Sequence, residues 1–246
     1  ADVSQLNKSK LKNVLNLLLE NHNLSHKELF RSFNFIYRNN IHNNLERLNS
    51  DSSLPESFTN DKLIINSLKK CIVLDFTLER LLTKYRRILC NKIASNLKHI
   101  NSSELQFIIA LAEQCFLNEY IYSSAKEEII STNAIINRCI NGEINETNIS
   151  ILACYFPLYK LLDRIPYIRS FQSLNQNFQE LVKLQISEPL QEIELSQKLK
   201  RLGSINDNTS QKVKSQYEEN PYPRWRYGNT SKEIKVSAAE RINNDI

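Results

Sequence analysis

The 246-residue sequence contains three glycines, Gly142, Gly203 and Gly228, and six prolines. A sheet protein of this length needs many tight reversals, and those turns call for the backbone conformations that Gly takes freely. So few chain-reversing residues exclude a many-stranded sheet and leave long helices joined by polar loops. The expected fold is all-α, an irregular helical bundle or solenoid-like stack. The length suits one large domain or two small ones with a buried core. No apolar run approaches the ~18 residues needed to cross a bilayer, and residues 1–10 lack the charged-then-apolar pattern of a secretory signal. These features predict a cytoplasmic protein with no membrane partner.

The helical periods are explicit. Leu11, Val14, Leu15 and Leu18 fall on one stripe, widened by Leu17 and Leu19. Ser25-His26-Lys27-Glu28 has the form of a capping box, followed by Leu29, Phe30, Phe33 and Ile36 on one face. Residues 39–59 are polar, rich in Asn and Ser, and read as a flexible connection around a short helix. Asp61 and Asp75 precede further helices, and the second carries Leu78, Leu81, Leu82, Tyr85, Ile88, Leu89 and Ile93 on one stripe. Asn101-Ser102-Ser103-Glu104 reads as a second capping box. Its helix is apolar around most of its girth, which predicts the centre of the bundle. A helix over 124–140 stops at Asn141-Gly142, one over 148–163 is interrupted at Pro157, and one over 178–202 is broken at Pro189. Asn208-Thr209-Ser210-Gln211 caps a last short helix. The chain divides into a helical hairpin over 1–50, a main body over 51–203, and a short helix with an extended arm over 204–246. No repeat of about 34 residues holds a register, as a tetratricopeptide array would.

The arm is the least scaffold-like stretch. Gln216-Tyr217-Glu218-Glu219-Asn220-Pro221-Tyr222-Pro223-Arg224-Trp225 holds two of the prolines and the only tryptophan. Pro221 and Pro223 fix their own φ and push Asn220 and Tyr222 towards extended backbone. Trp225 is expected to pack on the helical body, making the arm a strap. This stretch resembles the signature that precedes the catalytic domain in a family of bacterial S-adenosylmethionine-dependent methyltransferases with helical, often tetratricopeptide-containing, N-terminal regions. Leu111-Ala112-Glu113-Gln114-Cys115-Phe116-Leu117-Asn118-Glu119-Tyr120 and Ala153-Cys154-Tyr155-Phe156-Pro157-Leu158 are similar to two further blocks of that family. Ile186-Ser187-Glu188-Pro189-Leu190 is similar to a fourth. The resemblance implies that Tyr217, Glu218, Asn220, Tyr222, Arg224 and Trp225 border a cofactor or substrate cleft. It also implies S-adenosylmethionine as cofactor of a catalytic domain outside this chain.

Within the chain itself the cofactor turn is missing. A doubly wound methyltransferase needs a Gly-rich turn after its first strand, and no two of the three glycines stand close together. No catalytic, cofactor-binding or metal-ligating set is expected here. The five cysteines, Cys71, Cys90, Cys115, Cys139 and Cys154, lie far apart in apolar contexts and read as buried structural thiols. His22 and His26 read as an exposed loop pair without further ligands.

The charge surplus is modest, 32 Lys and Arg against 27 Asp and Glu. Arg80, Lys84 and Arg87 fall at i, i+4 and i+7, opposite the apolar stripe of their helix, and form a candidate polyanion face. A solvated face is the simpler reading, and a pI near 8.9 lies below the range that marks nucleic-acid binders. The leading expectation is a non-catalytic N-terminal helical domain for substrate recognition or domain positioning. Its partners would be its own C-terminal catalytic domain and a protein or peptide substrate. A stand-alone helical interaction module and a basic RNA-binding module are the alternatives.

Overall fold

The computed structural model describes residues 3–21, 26, 29–50, 53–97, 99–198 and 207–219. The fold is all-α. The helices are α1 (Val3–Glu20), α2 (Leu29–Arg47), α3 (Glu56–Thr59), α4 (Lys62–Lys70), α5 (Phe76–Ala94), α6 (Ser102–Leu117), α7 (Lys126–Ile140), α8 (Glu146–Ala153), α9 (Gln176–Val182), α10 (Glu188–Lys198) and α11 (Asn208–Glu219). Two 3₁₀ turns, Leu158–Leu161 and Pro166–Ser170, connect α8 to α9.

Helix α6 is the axis. Every residue from Phe107 to Leu117 is buried, Glu113 and Gln114 included. It packs on α4, α8, α3 and α9, while α5 packs on α2 and α7. One continuous apolar cluster runs from Leu15 on α1 to Ile186 beyond α9. The predicted stripe of α5 faces this core, with Leu81, Leu82, Tyr85 and Leu89 fully buried. On α1 the stripe is narrower than the sequence suggests: Leu15 and Leu19 are buried, whereas Val14 and Leu17 face outward.

Side-chain caps start the helices where the sequence places short polar residues. Asp61 accepts from the Leu63 and Ile64 amides, Asp75 from Leu78, Asn101 from Glu104 and Asn145 from Asn148. Asp61 also ties three helices together, since Tyr37 Oη donates to it at 2.7 Å and Lys12 pairs with it. The predicted box at Asn101 is only half formed, because the Glu104 carboxylate accepts from Tyr85 Oη at 2.6 Å. The last helix is capped by Asp207, one residue before the expected Asn208.

Glycine scarcity shows at the helix ends. α5, α6 and α7 all close in Schellman motifs, with Leu97, Tyr120 and Glu143 amides bonded five residues back to Lys92, Cys115 and Arg138 carbonyls. The left-handed position is Gly142 (φ 99°) only after α7; Asn96 (φ 53°) and Glu119 (φ 57°) hold it after α5 and α6. Tyr120 (φ 58°) is left-handed as well, so two consecutive non-glycine residues adopt this conformation.

Two expectations need correction. The polar stretch from Asn39 is no flexible connection: α2 continues to Arg47, because Ile41, Asn44 and Leu48 fall on its buried face. The segment over 176–198 is not broken at Pro189. A π turn over Lys183–Ser187 joins α9 to α10, with the Glu188 amide bonded to the Lys183 carbonyl. That extra residue in the turn lets the chain carry Pro189, which lacks an N–H and crowds the carbonyl four residues back. The capping box at Ser25 lies outside the described residues except for His26.

Candidate functional site

Two of the sequence blocks, 111–120 and 153–158, meet at one buried side chain that directly precedes a third, 186–190. Gln185, in the π turn, is completely buried. Its amide nitrogen donates to the Ala112 carbonyl at 3.1 Å and the Ala153 carbonyl at 3.3 Å. Its oxygen accepts from the Leu158 amide at 3.3 Å. Tyr120 Oη lies 3.3 Å from both that oxygen and the Ala153 carbonyl. Residues 111–120 and 153–158 and the π turn over Lys183–Ser187 are thereby fastened at a single point. The α8 helix ends at Ala153 and the chain turns through Pro157, so Gln185 supplies partners to backbone groups that the helix leaves open.

Beside this junction lies a charged hub closed to solvent. Arg86 on α5 is 1% exposed and Glu128 on α7 is fully buried. Arg86 donates to the Ser123 carbonyl at 2.9 Å, to the Cys154 and Tyr122 carbonyls at 3.4 Å, and to Glu128 Oε1 at 3.4 Å. Its guanidinium stacks on the Tyr155 ring at 4.3 Å from the centroid. Glu128 accepts from Tyr155 Oη and from the Ala125 amide, both at 2.6 Å, and from Arg87 Nε at 3.1 Å. Burial would raise the Glu128 carboxyl, but Tyr155, the Ala125 amide, Arg86 and Arg87 outweigh it and hold it below its ordinary value. Burial also drives Tyr155 far above the range in which a phenol ionises.

All five cysteines are buried free thiols. Burial pushes Cys71 and Cys90 up to about 12 and Cys139 up to about 11. Cys115 and Cys154 touch beside Arg86. Burial alone would raise both, yet the Cys154 hydrogen bond and Arg86 bring Cys115 below its ordinary value, while Cys154 rises well above it. Neither sulfur reaches solvent.

A second polar network joins α4, α6 and α9. Lys69 Nζ contacts Asn177 Oδ1 and Glu180 Oε2 at 2.9 Å and the buried Glu113 at 3.3 Å. A polar cleft of about 200 Å³ opens between Ser53, Glu56, His99 and Glu104. It is smaller than the roughly 300–1,000 Å³ of ordinary small-molecule pockets.

The candidate polyanion face does not stand as three free cations. Arg80 is exposed over the Phe76 ring at 5.7 Å, Lys84 donates to the Leu48 carbonyl, and Arg87 reaches into the hub at Glu128. Position on the α5 wheel is therefore a poor guide to charge available for a partner. His26 is buried, not loop-exposed, and its Nε2 donates to the Asn21 carbonyl at 2.9 Å. His22 lies outside the described residues. Tyr217 and Glu218 fall in the last turns of α11; Asn220, Tyr222, Arg224 and Trp225 lie outside the described residues. Among the described residues no group of three or more His, Cys, Asp or Glu could hold a metal ion, and no helix is long and apolar enough to cross a membrane.

Sequence reasoning did not single out Arg86, Glu128 or Gln185. Each is a polar residue inside an otherwise apolar helix stripe, and that misfit was the available signal. Comparison with known proteins gives no match among family models, curated proteins or solved structures.

Proposed function

We propose that this chain is the N-terminal helical region of an S-adenosylmethionine-dependent methyltransferase, a non-catalytic domain that positions the catalytic domain and recognises its substrate. The observation that carries this reading is the junction at Gln185. The blocks over 111–120 and 153–158, which carry the family resemblance, are far apart in sequence and touch one another there, joined by Gln185, the residue directly ahead of the block over 186–190. Blocks that share a pattern and a place share a task. A buried, fully bonded junction performs it through rigidity, since each hydrogen bond fixes the elements it joins. From this junction the helix through α10 leads the chain towards the arm that resembles the entrance to the catalytic domain. The cofactor would be held by that domain, where a Gly-rich turn lets backbone approach it closely.

The test is calorimetric titration with S-adenosylmethionine of the 246-residue chain and of the full product of its gene. The expected result is no heat of binding for the chain alone and a micromolar site for the full product. A micromolar site in the chain alone, or a full product that binds no S-adenosylmethionine, refutes the proposal.

A further inference from the structure

The surface where α2 meets the start of α5 combines exposed apolar side chains with cations that form no ion pair among the described residues. Asn34 donates to Asp75 at 3.0 Å, which sets the two elements side by side. The next residue on each is an exposed phenylalanine, Phe35 at 64% and Phe76 at 71%. Leu74, on the loop into α5, is 68% exposed. Three large apolar side chains are thus exposed at residues next to one interhelical hydrogen bond, a local concentration of the kind that marks interaction sites, whereas apolar residues scattered singly over a surface need no explanation.

Cations frame this patch. On α2, Arg31, Phe35 and Arg38 follow at i, i+4 and i+7, so a cation flanks the ring on either side along one helix face. On α5, Arg80 sits one turn beyond Phe76 with its guanidinium 5.7 Å from the ring centroid. Lys8 of α1 lies 5.4 Å from the Phe35 centroid. The only acid on α2 is Glu46, beyond this face. Asp75 is engaged with Asn34 and the Leu78 amide. Among the described residues none of the four cations is in an ion pair.

We infer that this face docks an acidic amphipathic peptide segment of a partner protein, its apolar side chains resting on Phe35, Leu74 and Phe76 and its carboxylates pairing with Arg31, Arg38 and Arg80. Charge complementarity decides the occupant. A second copy of this chain would set cations against cations at a two-fold contact, which repels. Single-stranded nucleic acid needs open ring faces for stacking bases, but each of these rings already has a cation over one face, and Leu74 offers none. An acidic helix needs apolar area flanked by positive charge, and that is the arrangement present. The inference rests on the substrate-recognition part of the proposed function; its experiment contains no cofactor, so the two can fail separately.

The probe is a fluorescein-labelled peptide of about twelve residues, with Leu and Phe at i, i+3, i+4 and i+7 and Glu elsewhere. Its anisotropy is titrated with the chain at about 0.1 M salt, where surface pairing still acts. An oligouridylate of equal length and vesicles of anionic phospholipid serve as competitors. Binding is expected with Kd on the order of 10–100 μM. R31E/R38E/R80E should weaken it at least about tenfold, a loss that shrinks as salt rises. F35A/F76A, and separately L74D, should weaken it by a similar factor at every salt concentration. All these residues are exposed, and an unchanged thermal midpoint in each variant identifies the loss as one of binding. If F35A/F76A unfolds, L74D alone decides. No binding at about 1 mM chain, tighter binding of oligouridylate or vesicles than of peptide, or wild-type affinity in the folded variants overturns the inference.

Discussion

Replacing Glu128 by Gln removes one charge from the hub and changes the side-chain volume very little. In the native hub the carboxylate serves Arg86, Arg87, Tyr155 and the Ala125 amide. Arg87 is 41% exposed and can turn to solvent, so its loss costs little. Arg86 cannot: its side chain is 1% exposed and would be left with carbonyl acceptors and the Tyr155 ring. The new amide can accept from Tyr155 or from Ala125, but its NH₂ then points at the other donor. A buried cation without its counter-ion and a buried donor without an acceptor together cost about 3–5 kcal/mol. Urea unfolding of wild type and Glu128→Gln at pH 7, followed by far-ultraviolet circular dichroism, measures this difference. Its pH dependence has a fixed sign. The native carboxyl titrates below its ordinary 4.5, so the stabilisation is complete above pH ~5 and lost as pH falls through the lower native value. The gap between the two proteins must therefore narrow on acidification. A gap under about 1 kcal/mol at pH 7, or one that stays constant down to pH ~3, would refute the reasoning.

Gln185→Leu should lower stability by about 3 kcal/mol, because it strips the Ala112 and Ala153 carbonyls and the Leu158 amide of a buried partner; thermal unfolding reads this directly. Arg80→Glu should change stability by no more than about 0.5 kcal/mol, as expected for an exposed side chain. Arg87→Glu should cost more than about 1 kcal/mol, since it sets a carboxylate against buried Glu128; equal effects of the two changes would contradict the hub. Cys71, Cys90 and Cys139, held near 12, 12 and 11 by burial, should resist an aromatic disulfide reagent at pH 8 until denaturant is added. Prompt reaction of these thiols in the native protein would show that the core is open.

The sequence alone determined the all-α class, since three glycines cannot supply the reversals of a sheet. It also determined the starts of α4, α5 and α6 and the central place of α6. As caps, Asp61, Asp75 and Asn101 bond amides within their own turns, so that part of their role is local. Apolar periodicity on α5 and α6 likewise needs no knowledge of neighbours. What failed was whatever depends on a distant element. Asn44 looks like loop and is buried helix, because the core it meets includes α4 and α5. Pro189 looks like a break and is carried through by the π turn over Lys183–Ser187. Arg80, Lys84 and Arg87 look equivalent on a helical wheel, yet Phe76, the Leu48 carbonyl and Glu128 give them three different fates. Arg86 and Glu128 carry charge in the sequence like any other pair, and only tertiary packing buries them together. Charges cost most where water is excluded, and which charges lose their water is decided by residues far away along the chain.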